Sequence, residues 1–291
     1  MIPAPFIYHS PTSLQELLSL LREYPEESKV VAGGHSLIPA MKLRLMQPEH
    51  LIDLRRVDNL RFIREEDGAL RIGSMTTYAE LQRSPVIQSY ASVLSEAAGL
   101  VGDVQVRNRG TIGGSLAHAD PAADLPAALL ALEAKVYLSG GVRKRNIALD
   151  RFFVDSFTTV MEETEVITEI RVPIALDGTR SAYLKFANRA SRFAIVGVAA
   201  SITLNKNIFS RVRIGVTGAG TNPMRLRSVE NNLRGKNVSE SAVIEAAKFA
   251  SKGMEFQVDI HGSAEYRAHL AETLTFRAIM ESLDRADRIS G

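Results

Sequence analysis

Two stretches of small residues, lying far apart in the chain, constrain this sequence more than its composition does. The first is Val30-Val31-Ala32-Gly33-Gly34-His35-Ser36-Leu37. The second opens Gln105-Val106-Arg107-Asn108-Arg109-Gly110-Thr111-Ile112-Gly113-Gly114-Ser115 and runs through Leu116-Ala117-His118-Ala119-Asp120-Pro121 to Asp124-Leu125-Pro126. It joins two segments that read as helices and is too rich in Gly, small residues and charge to be a core element. Glycine lets a backbone approach a phosphate closely enough for its N–H groups to donate directly. A Ser or Thr hydroxyl adds a further donor. The two Gly-Gly loops, each flanked by Ser or Thr, therefore predict a grip on one ligand with two linked phosphates.

Familiar phosphate-binding designs fit poorly. A P-loop needs a Lys and a Ser or Thr after its last Gly, and neither loop has that Lys. A dinucleotide fingerprint of the Rossmann kind needs three spaced glycines with an acid about 20 residues on. Asp53 lies near that distance, but Gly33-Gly34-His35-Ser36 lacks the spacing, and Pro39 follows where a helix should run. A third design is a clamp made by two separate loops from two small lobes.

Composition bounds the partners. The 291 residues allow two domains and a substantial core, and a hydrophobic content of 45% is that of a globular protein. A net charge of +2 and 6% aromatic residues give no footprint for nucleic acid or an anionic membrane. Cysteine is absent, which excludes disulfides, thiolate zinc sites and a Cys-ligated iron–sulfur cluster in this chain. The scattered histidines show no metal spacing. No apolar run approaches the ~20 residues of a membrane span. Met1-Ile2-Pro3-Ala4-Pro5 lacks the regions of a signal peptide, so the cytoplasm is expected.

Local signals order the rest. Ser13 to Glu16 and Thr77 to Glu80 are capping-box patterns, the first leading into Leu14, Leu17, Leu18 and Leu21 on one helical face. Strands are expected at Phe6–Tyr8, Lys29–Ala32 and Leu51–Leu54, and a hairpin turning at Asp67-Gly68. Pro85 is expected to limit the helix begun at Thr77, with Tyr90–Leu100 and Pro126–Leu132 as further helices. Strands around Gly140-Gly141 place Arg143-Lys144-Arg145 at a solvated hairpin tip. Val166–Val172 reads as a strand stopped by Pro173. Leu176–Arg180 is a polar turn that divides residues 1–176, with lobes 1–57 and 58–176, from residues 177–291. Beyond it, long strands at Ala194–Leu204 and Val212–Val216 precede helices at Ser228–Leu233, Ser239–Gly253 and about 264–288. Strands followed by helices give an α+β layer.

With both loops, Asp120-Pro121, Asp124-Leu125-Pro126, Glu165–Pro173 and Tyr183-Leu184-Lys185-Phe186 in view, the chain resembles the FAD-binding medium subunit of bacterial molybdenum hydroxylases. That family includes carbon monoxide dehydrogenase, quinoline oxidoreductase and xanthine dehydrogenase. The resemblance runs through most of the chain. It implies an α+β fold: a two-lobed FAD-binding domain of the vanillyl-alcohol-oxidase (PCMH) type, then a smaller α+β domain of sheet plus helices. It implies that Val31, Ala32, Gly33, Gly34, His35, Ser36 and Leu37 wrap the FAD pyrophosphate and reach toward the ring, that Thr111, Gly114 and Ser115 supply the other half of the cradle, and that Gly110 is a further cofactor-binding position. Asp124 would accept from hydroxyls of the ribose or ribityl. Val101, His118, Val166 and Ile167 match contact positions, and Lys185 matches a lysine near the flavin.

Plainer readings stand beside these. Asp124 also suits a helix start, Lys185 a surface position, and the three apolar residues any core. The resemblance further implies an electron-transfer oxidoreductase subunit. A large partner would hold molybdenum–pterin and a small one two [2Fe–2S] clusters, in an expected dimer of heterotrimers. Electrons would leave through FAD to NAD, oxygen or a quinone. Because the first loop reads Gly-Gly-His, a self-contained flavin oxidase with FAD bonded covalently to His35 stays open. So does a nucleotide-binding module without redox function.

Overall fold

Residues 2–140 and 143–289 are described by the computed structural model. The chain begins with β1 (Ile7–His9), α1 (Leu14–Glu23), β2 (Ser28–Val31), α2 (Leu37–Lys42) and β3 (His50–Asp53). β3 lies between the other two strands and runs parallel to both. α1 carries the chain from β1 to β2 on the other side of β3, burying Leu17, Leu18 and Leu21 in a core with Ile52 and Leu54, and α2 lies on the crossover between the parallel neighbours β2 and β3. The Ser13 hydroxyl accepts from the Glu16 N–H, while the Glu16 carboxylate takes the N–H of Thr12 rather than that of Ser13. The helix after the first Gly-Gly pair is a correction to the sequence reading. α2 is present, and Pro39 sits in its first turn, where the missing N–H would have no partner anyway.

The second lobe comprises β4 (Ile63–Glu66), β5 (Ala69–Gly73), α3 (Tyr78–Arg83), α4 (Pro85–Tyr90), α5 (Ser92–Leu100), α6 (Val104–Arg109), α7 (Ile112–His118), α8 (Asp124–Ala131), β6 (Lys135–Gly140), β7 (Arg143–Ala148), β8 (Phe153–Asp155), β9 (Thr158–Thr159) and β10 (Val166–Pro173). Its antiparallel sheet has the order β4-β5-β10-β6-β7. Asp67 and Gly68 both take positive φ, as a two-residue hairpin turn requires. Thr77 and Glu80 close a complete capping box. Pro85 opens α4 behind its Ser84 cap, so it starts a helix as well as limiting one. The tip expected at Gly140-Gly141 extends into residues 141 and 142, outside the described residues.

The second small-residue stretch departs from expectation. It is mostly helical, and Ile112 and Leu116 are fully buried. Asp103 and Thr111 cap α6 and α7 through side-chain oxygens, which lets two short helices form on either side of Gly110. Its glycines serve packing: a methyl group at Gly113 would lie 2.6 Å from Ser74 Cβ.

The remainder forms β11 (Thr179–Ala187), β12 (Ala194–Asn205), β13 (Ile208–Thr217), β14 (Met224–Arg225), α9 (Arg227–Leu233), α10 (Glu240–Ala247) and α11 (Ala264–Ile289). The strands make an antiparallel sheet in sequence order. Helices α9, α10 and α11 cover one face, where Val196, Val198, Ala200 and Ile202 point. The other face, with Tyr183 and Ala199, joins the core of the second lobe beneath α5 and α8. Coverage on both sides explains the almost unbroken apolar run of β12. Gly215 is required there, because a methyl group would lie 2.1 Å from the Ala127 carbonyl oxygen. Glu133 at the same seam accepts from Arg211, Arg213 and Arg225. Among the described residues, no helix is long and apolar enough to cross a membrane.

Candidate cofactor site

The two small-residue stretches meet. A methyl group at Gly33 would stand 2.3 Å from the Arg109 carbonyl oxygen and 2.8 Å from Gly110 Cα, so the lobes touch backbone to backbone. Ala32 Cβ lies 3.6 Å from where a side chain at Gly114 would begin. β2 delivers the first loop to this seam, and Gly34, at φ +80°, turns it into α2. The fixed entry and exit hold the loop edge-on to a cavity of about 660 Å3 between the lobes.

All but one of the residues named from the sequence line this cavity. They are Val31 to Leu37 from the first lobe, and Val101, Gly110, Thr111, Gly114, Ser115, His118, Asp124, Val166 and Ile167 from the second. Lys185 is the exception and stands behind the wall. Its ammonium donates to the Leu100 carbonyl at 2.8 Å, to the Arg192 carbonyl at 2.7 Å and to the Asp124 carboxylate at 3.0 Å. Both members of this ion pair are buried. Asp124 also accepts from the Tyr183 hydroxyl at 2.6 Å. Burial pushes the Asp124 carboxyl up to about 6, against the pull of Lys185 and Tyr183. Burial, with Asp124 alongside, holds the Tyr183 phenol well above its ordinary value.

Other wall residues were not singled out from the sequence. Ser74 and Met75 come from the segment between β5 and α3, Tyr78 from the first position of α3, Phe157 and Met161 from near the β8–β9 hairpin, and Ser191, Arg192 and Phe193 from the β11–β12 connection. Tyr78 fills the space that a side chain at Gly110 would need, with its ring 2.4 Å from that position. Burial pushes its phenol up to about 12. The Phe157 ring tilts over His118 with centroids 5.1 Å apart. These positions carry no local pattern and are assembled only by tertiary structure. Tyr78, first in a capped helix, was the one within reach of a sequence argument.

Ion pairs brace the β10 wall. Glu165, before Val166, accepts from Arg145 at 2.6 Å. Glu169 accepts from Arg71 at 2.7 and 2.8 Å, and from Arg171. Despite partial burial, these arginines hold both carboxyls below the usual range.

The cavity suits a dinucleotide in its donor set. The N–H groups of Gly33, Gly34, His35 and Ser36 have no acceptor among the described residues. The Ser74 hydroxyl, buried on the wall, has no partner there either. The second stretch offers less backbone: the Gly114 N–H is already given to Thr111 Oγ1 at 3.1 Å. Unpaired N–H groups along a small-residue seam suit an anionic ligand.

Residues 4–175 match the family model described as the FAD binding domain in molybdopterin dehydrogenase, and residues 181–282 match the CO dehydrogenase flavoprotein C-terminal domain. The chain belongs to this family. The carbon monoxide dehydrogenase medium chain of Hydrogenophaga pseudoflava is 42% identical over 279 residues, covering 96% of this chain and 97% of its own. A solved carbon monoxide dehydrogenase from the same organism, lacking the Mo-pyranopterin moiety, superposes with a TM-score of 0.95 at 41% identity, covering 98% of this chain and 99% of that one. Quinoline 2-oxidoreductase from Pseudomonas putida 86 gives 0.92 at 32% identity, covering 98% and 99%. The family fixes the cofactor as FAD and the fold as a PCMH-type domain followed by the second domain typical of these medium chains. It also places the chain among oxidoreductase subunits of molybdenum hydroxylases.

Proposed function

We propose that this chain is the electron-transfer subunit of a cytoplasmic molybdenum hydroxylase, receiving electrons from an iron–sulfur partner and passing them to an external acceptor. The observation that carries this reading is the convergence of both small-residue stretches on one cavity, with four unpaired N–H groups at its edge. FAD, when bound, supplies one- and two-electron chemistry. The chain's own residues bind and orient it. The N–H groups of Gly33 to Ser36 and the hydroxyls of Ser36, Thr111 and Ser115 hold the pyrophosphate. Asp124 accepts from a sugar or ribityl hydroxyl. Val101, Val166 and Ile167 keep water from the apolar part. Lys185 positions Asp124 rather than touching the cofactor. On this reading the chain divides at residues 176 and 177, and Lys185 is the C-terminal domain's hold on the site.

The chain has no cysteine to hold clusters, which is consistent with two [2Fe–2S] centres on a small subunit and molybdenum–pterin on a large one, in a dimer of heterotrimers. NAD, oxygen and a quinone are the candidate acceptors. The relatives' names cover substrates as unlike as carbon monoxide and quinoline, which fits a substrate site on another chain.

The test is purification with co-expressed partners. We expect all three subunits together and flavin absorbance near ~450 nm. Acid denaturation should release the flavin into the supernatant. Flavin retained on the precipitated chain would instead support bonding to His35, which lines the exposed end of the loop. A chain that neither holds nor takes up FAD would refute the proposal.

A further inference from the structure

Arg107 belongs to the second small-residue stretch, yet it does not line the cofactor cavity. Its half-buried guanidinium reaches back to the connection between α5 and α6. There Nη1 donates to the Val101 carbonyl at 3.0 Å and to the Gly102 carbonyl at 3.2 Å. Lys185 holds the carbonyl just before them, that of Leu100, at 2.8 Å. Three successive carbonyls at the end of α5 thus belong to two cations. Among the described residues, the Val101 and Gly102 carbonyls have no other partner, and Arg107 makes no ion pair.

A cation on the last carbonyls of a helix is an ordinary cap. Here the capped residues are also cavity wall, because Val101, Gly102 and Val106 all line it. Gly102 takes φ +46°, and a methyl group there would lie 2.9 Å from Val106 Cβ, so the connection turns tightly onto α6. A trans peptide points its C=O and its N–H in opposite directions. No peptide bond among the described residues is cis. Drawing the Val101 carbonyl to a side chain outside the cavity therefore turns the Gly102 N–H the other way, toward the wall. That N–H has no acceptor among the described residues.

We infer that Arg107 is a positioning residue for the cofactor: it turns the Val101–Gly102 peptide so that the N–H end faces the isoalloxazine half of FAD. The inference rests on the reading in which Val101 covers the apolar part of the cofactor. An oriented peptide presents partial positive charge at its N–H, and the guanidinium adds its own charge behind it. Both favour the form of the cofactor that carries more electrons, so Arg107 holds the reduction potential up.

The test is spectroelectrochemical titration of the flavin in the FAD-loaded full chain. Arg107→Met keeps an unbranched stem and removes both donor and charge. Loss of a charge-assisted bond should weaken reduced FAD about tenfold more than oxidised FAD. That ratio reads as a fall of about 30 mV in the two-electron midpoint potential. Arg107→Lys keeps a cation with N–H donors and should recover most of the fall, whereas Arg107→Gln keeps only a neutral donor and should recover less. These two carry the measurement if Arg107→Met folds poorly. A potential unchanged within about 9 mV, twofold in the same ratio, overturns the inference even where the melting temperature falls, because Arg107 then only caps α5. So does a fall as large in Arg107→Lys as in Arg107→Met. Val101→Ser reports on the underlying reading alone and should shift the flavin bands near ~450 nm. Bands left unmoved would put the isoalloxazine elsewhere in the cavity, a failure of that reading and a different outcome from an unmoved potential.

Discussion

Gly33→Ala tests the central geometry with one methyl group. Ordinary contacts begin near 3.4 Å, and the new carbon would lie 2.3 Å from the Arg109 carbonyl oxygen and 2.8 Å from both Arg109 C and Gly110 Cα. These are backbone atoms and cannot rotate aside, so the lobes must part by roughly 1 Å at the seam, a shift of the overpacking kind. Without FAD the seam can open and relieve most of the strain. With FAD both loops must close on one pyrophosphate, and the strain returns. Overpacking costs about 1–3 kcal/mol, which is roughly 5- to 150-fold in Kd. Titration of apoprotein with FAD, followed by flavin fluorescence, should show a weakening in that range with little change in the apo melting temperature. Gly68→Ala is the control. Its φ of +70° brings strain, but no atom lies within 4 Å of the new carbon, so stability should fall and FAD affinity should not. If Gly33→Ala binds FAD within twofold of the unaltered chain, the two stretches do not close on the cofactor together.

Two further outcomes follow from the buried charges. Lys185→Met leaves Asp124 buried without its cation and strips a donor from two carbonyls; losing one partner of a buried pair costs about 3–5 kcal/mol. Chemical denaturation should show that loss, and Lys185→Met/Asp124→Asn should recover part of it; a single variant within about 1 kcal/mol of the original contradicts the pairing. Glu165 and Glu169 are held below the ordinary carboxylate value by Arg145, Arg71 and Arg171. Their stabilisation is therefore present above the unfolded carboxyl value and is lost as pH falls through the lower folded one. Stability measured between about pH 5 and pH 3 should drop less steeply in Arg145→Gln than in the original, and an identical slope would count against the bracing of β10.

Most of the site was legible because its chemistry sits in contiguous backbone. A loop that grips phosphate needs adjacent small residues, and adjacency is what a sequence displays. Lys185 shows the limit. Its motif suggested a cofactor contact, yet the ammonium is consumed by Leu100, Asp124 and Arg192, partners drawn from three separate segments. β11 was missed as a strand because its residues alternate weakly, one side facing α11 and the other the second lobe. α2 was discounted because Pro39 was weighed as a breaker without regard to its place in the first turn. The stretch from Gln105 was expected to be loop because its glycines were read as places where backbone approaches a phosphate, when Gly110 and Gly113 also allow close packing.

The position of Lys185 also explains why a C-terminal sheet without a chemical motif belongs to the cofactor site. β11 carries Tyr183 and Lys185 to the buried Asp124 at the start of α8, and the connection after β11 returns Arg192 and Phe193 to the cavity wall. Lys185 binds the backbone on both sides of that return, at Leu100 in the second lobe and at Arg192 in its own domain. The cavity is therefore closed by a covalent loop on one side and a buried ion pair on the other. Separating the domains would remove three wall residues, Ser191, Arg192 and Phe193, and unpair a carboxylate in the same motion. The domain seam and the cofactor wall are one structure, so the N-terminal lobes alone should hold FAD less tightly than the whole chain.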